Sequence, residues 1–229
     1  MAQGATSGKC ERCGGRLGKG AMSRHLRTHL VGGKGAAGAR RGDPDDVPLL
    51  HLLVEGWYRP EYWMHLEADG EADLEELDGF LREEWLECCG HMSQFLIGDR
   101  DYVSDPGSIG DDALSMHVPM AEALPAGRRA MYEYDFGSTT TLRLRVVSVR
   151  RGIPDDVSVR LLARNDPPER RCAGCGAPAV HVCTSCRTGS AMTHLCGACG
   201  RDHGCGEDAL LPVVDSPRCG VCAYRGRDR

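Results

Sequence analysis

The chain is 229 residues long with a net charge of −5 and a 41% hydrophobic composition, which suits one medium domain with small appended modules and excludes a wholly disordered chain. No apolar run approaches the roughly 18 residues that a membrane helix needs, and Met1–Gly8 has no basic start followed by an apolar stretch, so neither a membrane span nor an export signal is expected. The expected setting is the reducing cytoplasm, where the 13 cysteines call for an explanation other than disulfides.

Ten of those cysteines form five Cys-x-x-Cys pairs, at 10/13, 172/175, 183/186, 196/199 and 219/222. A two-residue gap lets two thiolates reach one ion from a tight turn, which points to zinc as the cofactor. Charge is distributed unevenly. Residues 1–42 carry 9 basic against 1 acidic side chain, residues 43–127 carry 3 against 21, and residues 128–229 carry 16 against 11. A basic arm on an acidic body points to nucleic acid as a partner. The alternative is that the acidic part keeps the chain in solution and the arm is a tail.

Along the chain, residues 1–30 read as a compact Cys/His unit. The pattern Cys10-x2-Cys13-x11-His25-x3-His29 places two thiolates on a turn and two imidazoles on one face of a short helix. It resembles the two-Cys-two-His zinc finger, with Leu17 and Met22 at the apolar core positions. It departs in a Cys-to-His gap one residue short and in Leu17 where an aromatic is usual. The base-reading positions that this resemblance implies fall near Gly18, Ala21 and Arg24, and only Arg24 can address a base edge. Arg12, Arg16, Lys19, Arg24 and Arg27 are therefore the candidate nucleic-acid contacts, mostly to phosphate.

Residues 31–46, rich in Gly, Ala and charge, read as a flexible linker. An α+β central domain is expected over 47–165. Glu61–Leu66 reads as a strand. Asp73 can cap a helix with Glu76 in capping-box position, and Leu74, Leu77, Leu81, Trp85 and Cys88 recur at helical spacing, broadened by Phe80. Strands are expected over Gln94–Ile97, Met131–Phe136, Thr139–Arg150 and Val157–Leu162, the middle two joined by a turn at Gly137–Ser138. Leu142, Leu144 and Val146 mark the dry face of Thr139–Arg150.

Three features of the centre have two readings each. Cys88, Cys89 and His91 read as core or helix-end residues, with a metal or catalytic role as the alternative. Asp135 reads as a turn carboxylate that accepts backbone amides, with catalysis the alternative. Trp57, Tyr58, Tyr62 and Trp63 read as core, or as a stacking surface for bases.

The Cys-rich module spans 170–229, after an Asp-Pro-Pro break at 166–168. Cys172, Cys175, Cys183, Cys186, Cys196, Cys199, His203 and Cys205 supply eight donors, the number two zinc ions need. The order of the pairs resembles B-box-like cross-brace fingers. That resemblance implies one site of Cys172, Cys175, Cys196 and Cys199, and a second of Cys183, Cys186, His203 and Cys205. Cys219, Cys222 and His194 compete for the second site. A closed set of four donors is structural rather than catalytic, so a binding protein is expected rather than an enzyme. No small-molecule substrate is indicated. A protein partner, with purely structural zinc, is the alternative to nucleic acid. The third reading is an enzyme using Cys89, His91 or Asp135.

Several phrases carry a further resemblance: YWMHLEADG (62–70), LDGFLREEWLECCGHMSQFLIG (77–98), YEYDFGSTTTLRLRVV (132–147), LLARNDPP (161–168) and CGEDALLPVVDSPR (205–218). They resemble the Ri-plasmid open-reading-frame-three family, whose members are found on plasmids or near transposases. The resemblance implies a fold and a mobile-element setting but no reaction. It also implies an apolar residue where Cys219 stands, which leaves Cys222 the better spare ligand. The expected architecture is an α+β central domain flanked by small zinc-stabilised modules at both ends.

Overall fold

A computed structural model describes residues 6–32, 46–110, 112–188 and 191–227. Most of the expected linker at 31–46 lies outside the described residues. The chain divides into two units, Met1–Leu81 with Met92–Asp166, and Arg82–His91 with Pro167–Arg229. The architecture is mixed α and β, mostly sheet. No helix among the described residues is long and apolar enough to cross a membrane.

Among the described residues the first unit holds ten strands: β1 (Ser7–Cys10), β2 (Arg16–Gly18), β3 (Val47–Gly56), β4 (Trp63–Asp69), β5 (Ser93–Ile97), β6 (Arg100–Val103), β7 (Leu114–Ser115), β8 (Arg129–Tyr134), β9 (Thr140–Gly152) and β10 (Val159–Asn165). They form one sheet in the order β2-β1-β10-β4-β3-β9-β8-β5-β6-β7. Every pairing is antiparallel except β6 with β7. The helices among its described residues are α1 (Lys19–Gly32), α2 (Leu74–Leu81) and α3 (Met120–Ala123).

The strand β3 has no clear alternation, which is why periodicity does not pick it out. Its run from Leu49 to Val54 is buried on both faces, so its sequence is almost continuously apolar. In β9 the expected alternation holds: Leu142, Leu144 and Val146 are buried while Arg143 and Arg145 reach outward. Asp135 sits in the β8–β9 turn at φ 65°, where Oδ1 accepts from the amides of Gly137 at 3.0 Å and Ser138 at 3.1 Å. That is an Asx turn and explains the residue without catalysis.

The finger does not stand apart from the centre. Cys10 pairs with Ala163 and Gly8 with Asn165 as β1 joins β10. Met22, Leu26 and Leu30 share one apolar cluster with Leu53, Trp63, Leu162 and Ala163. Three turns of α1 thus bury one stripe on the sheet, because a unit this small cannot close a core by itself. Gly8 is required here. A Cβ on it would lie 2.2 Å from the Arg164 carbonyl oxygen and 2.5 Å from the Trp63 ring.

Beneath α1, His51 and His65 are buried with His51 Nε2 2.9 Å from His65 Nδ1. Ser23 Oγ of α1 lies 3.5 Å from His65 Nε2. Burial lowers the pKa of His51 to about 4 and that of His65 to about 3, the latter also through its neighbour His51. Both folded values lie below the unfolded 6.5, so the unfolded chain binds protons first as pH falls. The stabilisation is complete above pH 6.5 and is lost as pH drops towards 4, at up to about 1.4 kcal/mol per pH unit for each ring. Ring-carbon NMR shifts are expected to report both imidazoles neutral at pH 5. Imidazolium signals there would overturn the assignment.

Leu74, Leu77 and Leu81 of α2 are buried as expected. Asp78 is buried too, because its Oδ1 accepts from Ser93 Oγ at 2.6 Å and Tyr132 Oη at 2.7 Å. The helical stripe does not extend to Cys88. A π-helical turn at Arg82–Leu86, closed by Glu87 N–H to the Arg82 carbonyl at 2.8 Å, adds a residue to the turn and shifts later positions off the 3.6-residue period. Trp85 stays buried, but Cys88 is only half-buried.

The second unit is built on a small sheet, order β12-β11-β13, of β11 (His181–Thr188), β12 (Ala191–Leu195) and β13 (Leu210–Pro212), with helix α4 (Gly197–Arg201). Its apolar cluster is Val182, Leu211 and Cys219, with Met192, Val213 and Val214 packed against it.

Candidate metal centres and a cationic groove

Among the described residues, four Cys/His groups, each with its donor atoms within 4.8 Å of one another, could hold a metal ion. A tetrahedron with Zn–S near 2.3 Å and Zn–N near 2.05 Å has edges of about 3.8 Å for S···S, 3.5 Å for S···N and 3.3 Å for N···N. Donor separations can be read against those lengths.

In the first group, Cys10 ends β1, Cys13 sits in the following turn, and His25 and His29 lie on one face of α1. The turn closes through Gly14 N–H to the Cys10 carbonyl at 2.8 Å, with Gly14 at φ 73°. Gly15 N–H points at Cys13 Sγ, 3.4 Å away. Cys13 Sγ lies 3.3 Å from His25 Nε2, which is 3.1 Å from His29 Nε2. Both separations approach tetrahedral edges.

The second group joins Cys172, Cys175, Cys196 and Cys199. Cys175 Sγ and Cys196 Sγ are 3.6 Å apart, near the S···S edge and far beyond a disulfide bond. The Cys172 turn is closed by Gly176 N–H at 2.9 Å, and the Cys196 thiol caps α4 by accepting from Cys199 N–H at 3.4 Å. Backbone amides around Cys196, Cys175 and Gly174 pull the Cys172 pKa down to about 6, which favours the thiolate that a metal needs.

The third group joins Cys183, Cys186, His203 and Cys205, with Cys186 Sγ 3.2 Å from His203 Nε2. Burial opposes ionisation of Cys183, yet contacts with the Cys186 and Ser185 amides and the Cys186 thiol bring its pKa down to about 6. The competing donors lie elsewhere. His194 Nδ1 is 3.0 Å from the Met192 carbonyl, and Cys219 is buried in the apolar cluster.

The fourth group, Cys88, Cys89, His91 and Cys222, was missed as a set by sequence spacing. Two of its donors are adjacent in sequence and the last is 131 residues beyond His91, so no short motif announces it. Two separate signals point to it: the ECCGH stretch at 87–91, for which a metal role is the alternative reading, and a CGVC pair at 219–222 with no partner pair left for it. None of the thirteen cysteines is in a disulfide.

The candidate nucleic-acid residues fare unequally. Arg24 and Arg27 are exposed on α1. Arg12 donates to the His29 carbonyl at 3.4 Å, and Arg16 pairs with Asp166. Lys19 pairs with Glu55 and also donates to the Pro60 carbonyl, so it ties α1 to the sheet rather than projecting from it. Next to it lies a groove of about 330 Å³ lined by Lys19, Ser23, Glu55, Arg129, Arg143 and Arg145. Arg129 stands directly opposite Arg145 in the β8–β9 ladder, a like-charge pairing that costs stability. Arg143 places its guanidinium over the Trp57 ring at 5.4 Å. Of the four aromatics, Tyr62 and Trp63 are core, whereas Trp57 is 43% and Tyr58 81% exposed.

No family model matches the chain, and no curated protein matches it. Among solved structures it is similar to MM3350, a protein of unknown function from Methanosarcina mazei Go1. The sequence identity is 16% and the TM-score 0.41, over 51% of this chain and 67% of that one.

Proposed function

We propose that this is a zinc-held nucleic-acid-binding protein, in which the metal centres build the scaffold and the groove beside α1 meets the phosphates. The observation that carries this reading is the groove. Among the described residues, three arginines and a lysine line it against one carboxylate, Glu55, which pairs with Lys19 and lies 3.8 Å from Arg143. Two of the arginines face each other across the ladder at a cost, and a polyanion would turn that repulsion into attraction. Arg24 and Arg27 extend the positive surface along α1. Trp57 and Tyr58 expose rings beside it on which a base could stack. The metal groups are closed four-donor sets, which suits scaffolding rather than chemistry.

Binding should be strong at low salt, steeply salt-dependent and nearly indifferent to sequence, because phosphate contacts dominate and Arg24 alone occupies a base-reading position. The test is a fluorescence titration of the full chain against labelled duplex and single strand of two unrelated sequences at two salt concentrations. No binding at low salt would sink the reading and favour the protein-adaptor alternative.

A further inference from the structure

The fourth group differs from the others in origin: it brings the segment after α2 together with the end of the chain. We infer that Cys88, Cys89, His91 and Cys222 hold a fourth zinc ion, which fastens the C-terminal tail to Arg82–His91 within the second unit. This rests on the same zinc reading as the proposal above but on different residues.

The separations support it. Cys88 Sγ is 3.6 Å from Cys89 Sγ, Cys89 Sγ is 3.8 Å from Cys222 Sγ, and Cys222 Sγ is 3.7 Å from His91 Nε2. The S···S pairs match a zinc tetrahedron edge of about 3.8 Å and the S···N pair lies close to its 3.5 Å. Cys89 Sγ to His91 Nε2, at 2.9 Å, is shorter. Three thiolates and one imidazole are a common structural zinc set, and four protein donors leave no open position.

The backbone supports it independently. In a normal knuckle both cysteines of CGVC would turn to one ion. Here Cys222 takes a left-handed conformation at φ 52° and Gly220 one at φ 79°. A non-glycine residue seldom adopts that conformation without something to hold it there. The result is that Cys219 enters the apolar cluster while Cys222 joins the group 131 residues away in sequence.

The tail is held to the same segment by other contacts. Arg218 is fully buried, with Nη2 3.4 Å from Cys88 Sγ, and Ser216 Oγ accepts from Arg218 N–H at 2.9 Å while donating to the Trp85 carbonyl at 2.6 Å.

The experiment is native mass spectrometry of the full chain prepared with zinc, with iodoacetamide mapping of the same sample. The expected result is four zinc ions per chain, three for Cys222→Ser, and protection of Cys89 and Cys222 that disappears on chelation. Three ions in both the wild type and the variant, or rapid alkylation of Cys89 and Cys222 in the zinc-loaded wild type, overturns the fourth site and leaves the other three intact. No bound zinc at all overturns the whole zinc reading. The alkylation arm needs no variant, so a Cys222→Ser chain that fails to fold does not shield the proposal.

Discussion

Chelation of zinc unfolds the second unit and leaves the ten-stranded sheet folded: this is the largest effect expected. The second unit buries Trp85, Leu86, Val182, Leu195, Leu211 and Tyr224, fewer large apolar side chains than the sheet does. Structural zinc contributes roughly 10–16 kcal/mol per ion to the folding of small modules, so its loss is expected to decide the outcome there. The sheet has its own core, with Leu50, Leu52, Trp63, Phe95 and Tyr132 all buried. Cys175→Ser should act as chelation does, by opening the second group. Hydrogen exchange with peptide mapping checks it. Fast exchange in 172–212 with protection kept in β3, β4 and β9 is the expected pattern. Retained protection in 172–212, or loss of protection throughout the chain, would refute the account.

The second large effect concerns the groove. The double variant Arg129→Gln/Arg145→Gln should bind nucleic acid about 10- to 100-fold more weakly at moderate salt. Its log–log salt slope should be smaller in magnitude by roughly two, one for each lost phosphate contact. The same variant should be as stable as the parent or slightly more so, by about 0.2–1 kcal/mol, because a like-charge pair across the ladder is removed. Weaker binding together with undiminished stability is a signature that simple structural damage cannot produce. Titration at three salt concentrations and urea unfolding measure the two halves. Unchanged affinity and slope would move the contact to another surface.

The sequence by itself determined what short-range geometry controls. Four Cys-x-x-Cys pairs, His25 with His29 four apart, and His203 with Cys205 mark twelve candidate donors, and the structure gathers them into three groups because a knuckle or a helical turn presents its donors together wherever it sits. The α2 stripe from Leu74 to Leu81, the β8–β9 hairpin and the Asp135 turn were legible for the same reason. Only the tertiary structure decided the rest. Joining β1 to β10 pairs residues more than 150 positions apart, and no local period records such a partner. It made the finger an edge of the sheet and Lys19 an ion-pair partner of Glu55. The groove takes its charge from β8 and β9, far along the chain from α1. The fourth Cys/His group exists because a π turn shifts Cys88 off its stripe and a left-handed Cys222 reaches back to it, and both depend on packing that spacing alone does not encode.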